Sequence, residues 1–182
     1  MVTQRSRIKF TYEDYKHTPE DKRYELLDGE LIMAPAPRIA HQRTSREIGT
    51  PLDIFVTEDG LGEVFYAPCD VVLSQTDVVQ PDLLFVSNER SHIITEDNIR
   101  GAPDLVIEIL SPSTAQRDRT LKRTLYALHR VPEYWQADTD AKFVLVLTLD
   151  NGEYKVAGIY GEGQTLVSPL LPGFALEIDR IF

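Results

Sequence analysis

The sequence predicts a mixed α/β sheet with helices packed on it. Two short segments, Tyr24–Leu27 and Glu30–Met33, flank Asp28-Gly29 and read as a tight hairpin. Leu105–Leu110 is a short, β-branched apolar run bounded by Pro103 and Pro112, the pattern of a buried strand. Strands come first, then this buried strand with a helix after it, then more strands, which is an order of mixed α/β type.

Along the chain, Thr11–Lys16 can start a short helix, and Thr18-Pro19-Glu20-Asp21 reads as a turn. Asp28-Gly29 suits a two-residue hairpin loop. If Leu27 faces Glu30, then Glu25 faces Ile32, and Tyr24, Leu26, Leu31 and Met33 form an apolar face expected to meet the core. Glu25 then lies on the mixed face. Ile39–Thr57 reads as a long helix with Ile48, Leu52 and Phe55 or Val56 at helical spacing, kinked or broken at Pro51. Glu63–Tyr66, Asp70–Leu73 and Leu83–Val86 are expected strands, and Ser87–Gly101 a polar loop with a helical turn. Ser113–Arg130 is expected as a helix capped by Ser113 or Thr114, with Leu121, Leu125 and Leu128 on its buried stripe. Glu133–Ala137 and Phe143–Leu149 follow as strands, the second turning through Asp150-Asn151-Gly152 into Tyr154–Ile159. The apolar tail from Thr165 should pack as short extended pieces. Apolar periodicity runs nearly end to end without repeat or linker, so residues 1–182 read as one domain.

Composition bounds the function. The chain has 182 residues, 42% of them hydrophobic and 26% charged, ordinary values for a globular protein. Cys69 is its one cysteine, which suits a reducing cytoplasm, and no apolar stretch approaches the ~20 residues of a membrane helix. Arg5, Arg7 and Lys9 precede no apolar segment of the kind a secretory signal needs. The net charge of −10 opposes a broad phosphate-binding surface but leaves room for a local basic groove.

Glu108 sits inside an otherwise apolar strand, where an ionised carboxylate is costly unless paired or bound to metal. Alternation places it with Val106 and Leu110. The plain reading is a strand-end carboxylate reaching water or an arginine. Asp82 after Pro81 reads by itself as a turn cap, Glu25 as a solvated strand residue, and Lys122 as an exposed partner of Asp118 four residues earlier. His17, His92 and His129 lack metal-ligand spacing and read as surface residues, while Asp77, Glu96 and Asp97 read as solvated. Ser111 and Ser113 have no partnered His-Asp pair, and Tyr126 and Trp135 read as core.

Together these residues make a pattern. Pro81-Asp82, the string from Pro103 through Glu108 to Thr114, then Asp118, Lys122 and Tyr126, and Val131-Pro132-Glu133-Tyr134-Trp135 resemble the Uma-two family of restriction-endonuclease-like proteins, within the wider PD-(D/E)xK nuclease group. The resemblance spans about Tyr12 to Tyr160. It implies a restriction-endonuclease-like mixed central sheet flanked by helices, and a metal-dependent endonuclease acting on DNA. It implies Asp82 and Glu108 as ligands of Mg²⁺ or Mn²⁺, with the Ile109 carbonyl a possible third. Glu25 would complete the acidic cluster. Leu110 stands where the wider group has a lysine two positions after its acid, and the resemblance implies that Lys122 supplies that amine. His41 also fits the family's N-terminal half and either reaches the site or caps the long helix. Carboxylates are the ligands these hard cations prefer. A catalytically silent nuclease-fold domain that binds a partner, and a hydrolase of smaller phosphoesters, are the other readings. Double-strand cutters commonly act as symmetric pairs, so a homodimer is expected.

Overall fold

The structure is a computed structural model and describes residues 9–19, 22–111 and 118–182. The expected turn residues Glu20 and Asp21, the caps Ser113 and Thr114, and the basic N-terminus at Arg5 and Arg7 lie outside the described residues.

In chain order the elements are α1 (Tyr12–Tyr15), β1 (Tyr24–Leu27), β2 (Glu30–Met33), α2 (Ile39–Glu58), β3 (Gly62–Tyr66), β4 (Val71–Ser74), β5 (Asp77–Val79), β6 (Leu83–Ser87), β7 (Ile99–Arg100) and β8 (Leu105–Leu110). A wide π-type turn, Asp118–Lys122, then runs into α3 (Arg123–Leu128). The chain continues as β9 (Glu133–Asp138), β10 (Phe143–Asp150), β11 (Glu153–Tyr160), β12 (Thr165–Val167) and β13 (Ala175–Glu177).

A six-stranded mixed sheet, β11-β10-β9-β8-β6-β3, forms the centre, with β8 and β9 parallel and the other neighbours antiparallel. A second, five-stranded sheet has the order β2-β1-β5-β4-β7, and β12 pairs with β13. Both faces of the central sheet are covered, so β8 is buried throughout, as a continuous apolar run requires. Leu105, Ile107 and Ile109 face Ile48, Leu52 and Val56 of α2 and the C-terminal Leu166, Phe174 and Leu176. Val106 faces the other way, toward Leu125 and Tyr126 of α3 and Leu27, Val71 and Val79 of the second sheet.

The β1–β2 register is Leu27↔Glu30 and Glu25↔Ile32, as the loop length predicts, with Asp28 and Gly29 both at positive φ. Asn151 and Gly152 repeat that geometry between β10 and β11. The faces differ from expectation. β1 lies inside a sheet, paired with β2 and β5, and side chains of both its faces are buried. Leu26 packs with Tyr12, Tyr15 and Val78, Leu27 enters the main core, and Glu25 is buried, whereas Met33 on the sheet edge is exposed.

Helix α2 runs on through Pro51 without a break. The buried stripe of α3 is not the expected one: Leu121 and Leu128 are exposed, while Lys122, Leu125 and Tyr126 are buried. Lys122, Leu125 and Tyr126 stand at i, i+3 and i+4, so the inward face shares Leu125 with the expected stripe but is turned toward Lys122 and Tyr126.

β5 and β7 are too short for their pattern to be read from sequence, and Asp77, expected to be solvated, is buried. Its carboxylate accepts hydrogen bonds from Ser74 Oγ at 2.6 Å and the Asp28 amide at 2.8 Å, with His129 Nε2 3.4 Å away. His129 is accordingly turned inward rather than lying on the surface. Burial pushes the Asp77 carboxyl up, but the bonds from His129, Ser74 and the Asp28 amide outweigh it and hold the pKa at about 2. A depressed folded-state pKa stabilises above the unfolded value and is lost as pH falls through the folded one. The native protein is therefore expected to lose this contribution from about pH 4 down to about pH 2. Asp77→Asn should show a flatter acid limb in that window, followed by urea unfolding at stepped pH. Parallel curves for the two proteins would rule the assignment out.

Candidate active site

The site forms where β6 and β8 part company. Leu83 pairs with Ile107 across these strands, so one residue earlier Asp82 stands opposite Glu108. Residues directly opposite on antiparallel strands have Cβ atoms roughly 5 Å apart. Asp82 is fixed by the Ile109 amide, which donates to Oδ2 at 2.7 Å, and by His41 Nε2, 3.1 Å from the same oxygen. Oδ1 makes no hydrogen bond among the described residues.

Glu108 points with Val106 to the α3 side. Lys122 Nζ donates to Glu108 Oε1 at 2.8 Å and lies 2.8 Å from Glu25 Oε1, so one amine bridges two carboxylates. All three side chains are 5% exposed or less, which means that charge is held almost wholly inside the protein. Tyr126, one helical turn beyond Lys122, donates its hydroxyl to Glu108 Oε1 at 2.6 Å. Burial, then the negative charge of Glu108, pushes the Tyr126 pKa well above the ordinary phenol value, so this group remains a donor. Glu25 also accepts the Gln80 amide at 3.1 Å. The second sheet thus delivers one acid, the central sheet two, and the helix after β8 the amine and the phenol.

These residues line a cavity of about 90 Å³ together with Arg23, Arg38, Gln80, Ser111 and the stretch 34–37. The four residues expected at the site, Glu25, Asp82, Glu108 and Lys122, are therefore brought together. His41 reaches Asp82 rather than capping α2, whose N-cap is Arg38. Lys122 is not an exposed helix residue, and Leu110, at the position of the missing lysine, is buried. His17 and His92 lie outside the site, at the surface. Sequence reasoning missed the hydrogen bond of Tyr126, which spacing from Lys122 could have flagged, and missed Arg23, Arg38 and Gln80, which no pattern marks.

A divalent cation is compatible with this donor set. Among the described residues no three His, Cys, Asp or Glu side chains form a preformed cage. Asp82 and Glu108 nevertheless place two hard-oxygen ligands opposite one another, with the uncommitted Oδ1 of Asp82 beside them. Magnesium characteristically binds through one or two carboxylates and fills its other positions with water and substrate oxygens.

Residues 11–179 match the family model Uma2, whose description is "Putative restriction endonuclease". The fold is shared with a crystal structure of "a putative nuclease belonging to DUF820" from Anabaena variabilis. The two are 22% identical over 95% of this chain and 97% of that one, with a TM-score of 0.79. No curated protein matches the chain. Among the described residues no helix is long and apolar enough to cross a membrane.

Proposed function

From the premise that the chain belongs to the Uma2 family of putative restriction endonucleases, we propose that it is a metal-dependent endonuclease that hydrolyses DNA phosphodiester bonds. Residues 1–182 would act as one domain, in the cytoplasm and as a homodimer. The observation that carries the reading is Asp82 opposite Glu108, with the Lys122 amine held 2.8 Å from Glu108.

Asp82 and Glu108 would hold Mg²⁺ or Mn²⁺, with the Ile109 carbonyl beside them. Such an ion supplies Lewis-acid polarisation of a phosphoryl oxygen. The protein's own groups do the rest. The Ile109 amide and His41 fix the rotamer of Asp82, and Tyr126 fixes that of Glu108. Lys122 presents N–H groups to an attacking water and to negative charge that grows on the phosphate in the transition state. Glu25 holds the Lys122 amine from the side opposite Glu108 and is a positioning residue.

Metal uptake tests the reading against a silent binding domain, which the net charge of −10 favours. Mn²⁺ at about a hundred times its dissociation constant should add roughly 2.7 kcal/mol, or about 5–10 °C in melting temperature. The Asp82→Asn protein should show no such rise. A native protein indifferent to both Mg²⁺ and Mn²⁺ would leave the binding-domain reading standing. Sedimentation checks the dimer, and a monomer at all concentrations would remove it.

A further inference from the structure

The cavity contains three carboxylates, Glu25, Asp82 and Glu108, and three basic side chains, Arg23, Arg38 and Lys122. The formal charges cancel, although the whole chain carries −10. The basic groups are not used alike. Lys122 is taken up by Glu25 and Glu108. Arg23 bonds through Nε to Gln80 Oε1, a neutral amide, at 2.9 Å. The side chain of Arg38, an exposed residue, has no hydrogen bond or ion pair among the described residues. Two guanidinium groups thus line a cavity that contains carboxylates without pairing with any of them.

Elsewhere Lys9, Lys16, Arg46, Arg90, Lys155 and Arg180 each lie against an acid. Among the described residues Lys22, Arg43, Arg100, Arg123, Arg130 and Lys142 pair with none, but they do not line this cavity, where acids stand close by. Arginine offers a planar fork of donors that matches a phosphate, and it keeps its charge at any working pH. A divalent ion on Asp82 and Glu108 would turn the balanced cavity positive, and a phosphodiester anion would offset part of that charge. A volume of about 90 Å³ admits one such group and excludes a base pair.

We propose that Arg23 and Arg38 form the phosphate clamp of the site, gripping the backbone of the nucleic-acid strand on the side of the cavity formed by residues 34–38. This deepens the nuclease reading and rests on it. Arg23 reaches inward from the segment before β1, where its Gln80 partner fixes the Nε edge and leaves the terminal nitrogens for a ligand. Arg38 stands at the start of α2, one turn before His41, and approaches the same phosphate from the opposite element. The specificity given is for an anionic backbone, independent of base.

The test is binding rather than cleavage. A fluorescein-labelled single-stranded oligonucleotide and its duplex are titrated in Ca²⁺ against the native protein, Arg23→Gln/Arg38→Gln, and Lys155→Gln as a control on distant β11. The double variant should keep the native melting temperature and bind both probes roughly tenfold or more weakly, whatever their sequence. Its salt slope should fall by about 0.7–0.9 for each arginine. In cleavage, KM should rise with kcat nearly unchanged. A native protein that cuts DNA while the double variant keeps native affinity, KM and salt slope overturns the clamp and leaves the nuclease intact. Arginine-dependent, salt-sensitive binding without cleavage supports the clamp and overturns the nuclease. Equal losses in Lys155→Gln would mark a general charge effect and overturn the clamp.

Discussion

Lys122→Met is expected to lower the stability of the fold by about 3–5 kcal/mol, because it removes the cation from between two buried carboxylates. For a chain of this size that is roughly 10 °C in melting temperature, readable by calorimetry. Glu25 and Glu108 would be left facing each other at low exposure, with Tyr126 and the Gln80 amide among the remaining donors. Glu25→Gln alone leaves the Lys122–Glu108 pair in place and should change stability by about 1 kcal/mol or less. The two changes together should recover at least half of what Lys122→Met loses. Such non-additivity is the mark of groups in direct contact. If Lys122→Met melts within a degree or two of the native protein, the amine is not buried between those acids.

Asp82→Asn is expected to have the larger effect on chemistry and a small one on the fold. The asparagine oxygen can still accept the Ile109 amide, so β6 and β8 should stay in register. What is lost is the negative charge opposite Glu108. Metal-assisted polarisation supplies several kcal/mol at the transition state, and about 4 kcal/mol corresponds to ~10³ in rate. Cleavage by Asp82→Asn should therefore fall by about a thousandfold or more at unchanged far-ultraviolet circular dichroism. A variant that cuts within tenfold of the native rate would exclude Asp82 as a ligand.

Much of this architecture was legible because it rests on local pattern. The β8 run, both two-residue hairpin loops and the span of α2 follow from alternation, turn chemistry and helical spacing. The second sheet did not follow: β5 and β7 have three and two residues, too few to carry a period. Asp77 and His129, and Glu25 on β1, were assigned to solvent because sequence shows one strand's faces but not what covers them. Lys122 shows a different limit. Apolar periodicity placed Leu121 inside, and only the family resemblance pointed to the lysine, since Leu121, Leu125 and Leu128 and the buried Lys122, Leu125 and Tyr126 both fit helical spacing and hydropathy favours the leucines. Glu108 could be singled out because its apolar neighbours make a charge conspicuous. Arg23 and Arg38, in loops, have no such contrast.

The most direct measurement is conversion of supercoiled plasmid by the native protein with Mg²⁺ or Mn²⁺, beside the same protein in EDTA. Metal-dependent hydrolysis at this site gives nicked and linear products that appear only with the metal. A native protein that binds Mn²⁺ with a clear thermal shift, yet leaves the plasmid and its single strands intact under both metals, would contradict it.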